Sequence, residues 1–198
     1  MGGRSFSIIS TKTWETVFDS GSLMEETLRQ YYPAIFNSEA EASKAQTEQK
    51  DGRSDDKGLE VESLTVATVC GKTFAFVGAE RTSTIFVFDI TNPQKPVLHS
   101  HISAAGNTNM APATAYELDP EPRPNVNLGQ VDPEMMSFDA KRHLLIVSGA
   151  FSVGRSTLLR FLAGRSGGFA NLLVVNVVVL AVTRELSVYT KCTTCPSV

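Results

Sequence analysis

Six carboxylates are the residues of this sequence best placed to act together. Asp55, Asp56, Glu60 and Glu62 precede one β-rich run, and Asp132 and Glu134 precede another. If the two runs are copies of one repeating unit, equivalent positions lie near one another in the fold, and acids from successive units could converge. Carboxylate oxygens suit a hard cation, and calcium is the expected one. Carboxylates brought together unpaired would repel one another and take up protons. A converging set therefore needs either a cation or an arginine, and Arg53 and Arg81 could serve without any metal. The third reading is that all six are ordinary solvated loop charges. Glu80, in a turn, is a candidate partner of Arg81 or of a neighbouring arginine.

Other motifs point to less. His99 and His101 would share one face of an extended segment, but no third metal ligand lies near them in sequence, and His143 stands apart. Cys192 and Cys195 form a lone C-x-x-C without the second pair a zinc site needs. A structural pair, a disulfide and a redox motif all remain open for it. Cys70 lies in an apolar run and reads as a small buried residue. The segment 149–156 has the outline of a phosphate-binding loop after a strand. Arg155 replaces the lysine, however, and the segment reads better as a repeat of 78–84. No Gly-x-Ser-x-Gly elbow occurs, and no catalytic or cofactor-binding residues are assigned.

The elements that must position these residues are mostly strands. Residues 6–9 and 16–18 read as a hairpin. Residues 23–31 read as one short helix with Ser22 as cap, Glu25 in the capping-box position and Pro33 as its stop. Residues 64–69, 73–77 and 84–90 are three β-rich runs joined by tight turns, which is an antiparallel meander over 61–91. The order recurs about 70 positions on, over 134–161. Glu62 corresponds to Glu134, the strand at 74–77 to 144–147, and Gly78-Ala79 to Gly149-Ala150. Repeated meanders carrying long loops are what a series of propeller blades looks like.

Composition bounds the rest. The 198 residues are 42% hydrophobic with a formal net charge of −3 and scattered basic residues, which argues against a nucleic-acid partner. Residues 38–57 and 103–128 read as mobile loops with little to bury. Residues 164–198 form a divergent apolar tail holding one or two extra strands, and its apolar stretch at 169–182 is too short to cross a bilayer as a helix. The N-terminal residues lack the pattern of a secretory signal.

Several segments resemble one family: residues 2–8 and 17–21, the acidic loop 53–62, the strand and turn at 71–81, the strand closing at 86–93, and Asp132-Pro133-Glu134 with residues 144–149. Residues 2–161 are similar to the choice-of-anchor I family, which includes mesenchyme-specific cell surface glycoproteins; the tail does not match. The sequence departs from the family pattern at Asp56, Leu59, Val61, Thr82 and Ser83. The resemblance implies a β-propeller, extracellular or at the cell surface, with no settled enzymatic activity. A full family propeller is longer than this chain, so a fragment is expected. The expected architecture is all-β: a partial, open β-propeller of antiparallel meander blades over 1–163, with long inserted loops. The expected role is non-enzymatic and matrix-like, binding calcium or a protein or glycan partner and self-associating through open sheet edges. A metal-dependent, alkaline-phosphatase-like phosphoesterase is the alternative, suggested by labels on similar bacterial proteins.

Overall fold

The computed structural model describes residues 3–39, 46–103, 116–119, 121–124, 133–149, 156–160 and 173–177. A hairpin of β1 (Ser7–Ile9) and β2 (Thr16–Asp19) opens the chain, followed by α1 (Leu23–Tyr31) and 3-10 turns at Pro33–Ile35 and Gln46–Gln49. Next come β3 (Val61–Val69), β4 (Lys72–Ala79), β5 (Thr84–Asp89) and β6 (Val97–Ser103), which hydrogen-bond in chain order as one antiparallel sheet. A hairpin of β7 (Tyr116–Asp119) and β8 (Glu121–Pro124) lies within the expected second loop. Strands β9 (Pro133–Asp139), β10 (Leu144–Gly149), β11 (Ser156–Arg160) and β12 (Leu173–Val177) repeat the four-stranded meander. The fold is therefore all-β, with open sheets of the kind that make propeller blades.

Local chemistry explains each turn. Val69 pairs with Lys72 across the two-residue loop Cys70-Gly71, whose φ angles of 50° and 77° are the left-handed pair a tight hairpin requires. The expectation that Cys70 is a buried small residue fails for this reason. The turn holds it exposed, and it is disulfide-bonded. The β4–β5 and β9–β10 turns each end on a residue at positive φ, Ser83 at 49° and His143 at 53°, a second mark of the repeat.

The expected three-stranded units each gain a fourth strand. β6 sits at a sheet edge, where a strand needs only one paired neighbour and can carry polar residues. Its His99, Ser100 and His101 mask the apolar signal, and Pro93 and Pro96 precede it. β12 comes from the Val-rich tail and pairs with β11 from Ser156↔Val177 to Arg160↔Leu173. Because Ser156 opens a strand rather than a helix, the phosphate-loop outline at 149–156 has no helix N-terminus to work with.

The first sheet is covered on both faces. On one side Phe74, Phe76, Ile85 and Val87 pack against Met136, Leu145 and Val147 of the second sheet, and Phe76 stacks on Phe138 with ring centroids 5.1 Å apart. On the other side Ala75, Val77, Phe86 and Phe88 meet Met24, Leu28 and Leu59, with Phe6, Tyr32 and Phe36 around them. Helix α1 forms because Met24, Thr27 and Leu28 fall at the i, i+3, i+4 spacing that buries one stripe. Its cap differs from expectation: the Ser22 hydroxyl donates to Glu26 Oε1 at 2.6 Å and makes no capping bond to the backbone.

The acidic stretch before β3 was expected to bury little. Its described part instead follows a series of backbone hydrogen bonds, among them Asp51 N–H to Phe36 O, Arg53 N–H to Asn37 O and Gly58 N–H to Arg53 O. Ser38 and Gln49 are buried. Composition missed this because the order comes from backbone pairing with residues 36–37, not from an apolar period.

The second sheet packs tightly against the first at Gly78. A Cβ there would lie 2.1 Å from Ser63 Oγ, and Met136 and Pro133 stand just beyond. That hydroxyl donates to Pro133 O at 2.8 Å in a buried bond between the sheets. Gly78→Ala should push the hydroxyl off this acceptor and cost about 1–3 kcal/mol by urea denaturation. Ser63→Ala should cost about 1 kcal/mol. The double variant should lose less than the sum, because removing the hydroxyl relieves the clash.

Candidate functional site

The register of the β3–β4 hairpin builds the site. Val61 pairs with Ala79, and the Glu80 N–H donates to Glu60 O at 2.8 Å, so the residue entering β3 lies beside the residue leaving β4. A bulge between Val61 and Ser63 accommodates Glu62. As a result, carboxylate oxygens of Glu60, Glu62 and Glu80 all lie within 4.8 Å of one another. Glu60 and Glu80 are buried and Glu62 is exposed. Glu60 adopts φ 49°, a left-handed conformation costly for a side-chain-bearing residue, which the surrounding bonds must hold.

Two arginines neutralise the buried charge. Arg81 Nε donates to Glu60 Oε2 at 2.7 Å, and Arg53 donates to Glu60 Oε1 in a very short bond. The same arginines reach Glu39, Arg53 at 3.2 Å and Arg81 at 3.5 Å, and Arg81 also lies 3.5 Å from Glu80. Lys57 Nζ is 3.4 Å from Glu60. Burial works against the Glu60 charge, but hydrogen bonds from Arg81 and Arg53 outweigh it and hold the carboxyl below its usual range.

A second polar knot adjoins the acidic turns. Arg4 pairs with Glu25 at 2.7 Å and donates to the carbonyls of Ser54 and Asp56. Asn37, almost wholly buried, donates to Glu25 Oε1 and Ser54 Oγ. Together the two knots tie the N-terminal strand, the helix and the loop to the end of the first sheet.

Of the six acids singled out from sequence, Glu60 and Glu62 fall in the cluster. Asp55 and Asp56 lie on exposed turns, with Asp56 3.4 Å from Arg53. Glu134 is exposed on β9, and Asp132 lies outside the described residues. Glu80 completes the trio, and Glu39 joins through the arginines. Hairpin register alone could have placed Glu80 beside Glu60. Nothing in the sequence pairs Glu39 with Arg81.

The histidines do not form a shared site. Between Val87↔Ser100 and Phe88↔Leu98 the β5–β6 register skips His99, a bulge that leaves His99 and Ser100 on one face and His101 on the other. His99 meets Phe74 edge-on at 5.4 Å, on the side of the second sheet. His101 meets Tyr32 and Phe86, on the side of the helix. The one-face expectation assumed an unbroken strand.

No cluster of catalytic residues occurs among the described residues, and none of their helices is long and apolar enough to cross a membrane. The fold and site thus define an open meander scaffold with an arginine-clamped glutamate cluster. Residues 1–93 match the choice-of-anchor I domain, so this part of the chain is similar to that family. It is 43% identical over 105 residues to Gigasin-3a of Magallana gigas, a match covering 52% of this chain and 37% of that protein. It is 32% identical over 120 residues to a Mesenchyme-specific cell surface glycoprotein of Strongylocentrotus purpuratus, covering 54% of this chain and 15% of the other. The chain thus spans well under two thirds of either relative. No solved structure matches.

Arg81→Gln should leave the buried Glu60 carboxylate to Arg53 and Lys57 alone and cost about 1–3 kcal/mol in chemical denaturation. Adding Glu60→Gln should recover part of that loss, because the less fully compensated buried charge is then removed. The folded pKa of Glu60 is depressed, so its contribution is complete above its ordinary value of 4.5 and is lost as pH falls through the lower folded value. The urea midpoint should therefore drop below about pH 4.5, and less steeply in the double variant.

Proposed function

We propose that this chain is part of a non-enzymatic, extracellular or cell-surface β-propeller that binds calcium weakly and presents its surface to a protein or glycan partner. The observation that carries the calcium reading is the convergence of Glu60, Glu62 and Glu80 at the end of the β3–β4 hairpin. Oxygen donors of this kind suit a hard cation. Arg53 and Arg81 already occupy Glu60, so a cation must compete with them, and Glu62 is the carboxylate most accessible to it. Affinity on the order of millimolar follows, in the range of extracellular calcium modules.

The extracellular reading rests on the similarity to a cell-surface glycoprotein and on the Cys70 disulfide, a bond that persists in oxidising compartments. In this reading residues 1–163 form the propeller segment, and 164–198 a tail whose β12 completes the second sheet. The open sheet edges are where further strands, including those of a second copy, would pair.

Calorimetric titration should show saturable calcium binding near ~1 mM, with a rise in melting temperature. Glu62→Gln should weaken binding severalfold, and Glu134→Gln should leave it unchanged. No heat at about 10 mM calcium, well above the affinity range of extracellular modules, would remove the metal from this reading.

A further inference from the structure

We propose that His101 and Tyr32 form an acid-sensitive latch that holds the end of α1 and the N-terminal segment against the first sheet. Tyr32 caps the C-terminus of α1, and its hydroxyl lies 3.0 Å from His101 Nδ1 on β6. The same oxygen accepts the backbone N–H of Ser103. Directing the hydroxyl hydrogen at Nδ1 is then the arrangement that gives each of these groups a partner. The chain of donors therefore runs from Ser103 N–H to Tyr32 to His101, and it specifies a neutral imidazole with its proton on Nε2.

Protonation breaks this order. An N–H on Nδ1 would face the hydroxyl hydrogen, so the hydroxyl must turn. Its oxygen would then face two donors, and its own hydrogen would need a new acceptor at this part-buried position. The titratable groups around His101 are Tyr31 and Tyr32 from the end of α1 and His99 on the opposite face of β6; β5 contributes Phe86. Burial lowers the His101 pKa and raises that of Tyr32, so both favour the neutral pair at pH 7. The exposed Tyr31 ring, 4.7 Å from the imidazole, gives a protonated ring only weak, solvent-screened cation–π compensation.

The sign follows from linkage. His101 binds its proton less readily in the fold than in the open state, so the latch is complete above the ordinary imidazole value of 6.5 and weakens as pH falls below it. Weakening it loosens the helix that covers Val77, Phe86 and Phe88, exposing an apolar face in acid.

Hydrogen exchange of the whole chain, corrected for intrinsic rates, tests this. Between pH 7.5 and 5.5, protection over 23–32 should fall severalfold while protection over 74–88 holds. His101→Gln, which can still accept from Tyr32, should remove the pH dependence. Where that variant fails to fold, NMR titration of His101 in the unaltered chain should give a midpoint below 6.5, with the loss over 23–32 setting in between 6.5 and that midpoint. Unchanged protection over 23–32, the same pH dependence in His101→Gln, or titration of His101 without any helix response would each overturn the latch.

Discussion

Strands β4 and β5 carry apolar side chains on both faces in nearly unbroken runs, so the sheet they centre must be covered twice before it is stable in water. The rest of the chain is arranged around that demand. The second meander covers one face through Met136, Leu145 and Val147. Helix α1, Leu59 and the aromatic residues of the N-terminal segment cover the other. The helical cover is not a free-standing unit: α1 has nine residues, too few to be stable alone.

The polar chemistry sits where these covers are fastened. Charged groups at the ends of β3 and β4 hold the loop and the N-terminus in place, through Glu60 with Arg53 and Arg81, and through Arg4 with Glu25. Buried ion pairs of this kind specify geometry more than they stabilise, because desolvation offsets much of the Coulombic gain. The same arrangement brings three carboxylates within reach of one cation. The arginines clamp this cluster, and a cation bound there would have to compete with them.

The repeat gives the architecture its direction. The face of the first sheet that receives the second sheet carries Phe74 and Phe76. The corresponding face of the second sheet carries Leu144 and Ile146, with Ile146 and its neighbour Met135 exposed. An open series of blades has this asymmetry: each sheet covers its predecessor and awaits a successor. The matched segments cover 37% and 15% of the two relatives.

Local pattern alone determined much of this protein. The alternating and continuous apolar runs marked β3, β4, β5, β9, β10 and β11, the spacing of Met24, Thr27 and Leu28 marked α1, and Cys70-Gly71 marked a tight turn, because each depends on residues adjacent in the chain. The Arg53-to-Glu60 and Arg81-to-Glu80 pairings were within reach of sequence for the same reason. Only the tertiary structure decided the rest. Edge strand β6 hides its apolar residues among histidines, and a single bulge there sends His99 and His101 to opposite faces. The order in the loop before β3 comes from backbone bonds to residues 36–37, and Glu39 reaches Arg81 only because that loop folds back onto the sheet. Such contacts join residues far apart in the chain, and their energy depends on burial and register, which no local pattern encodes.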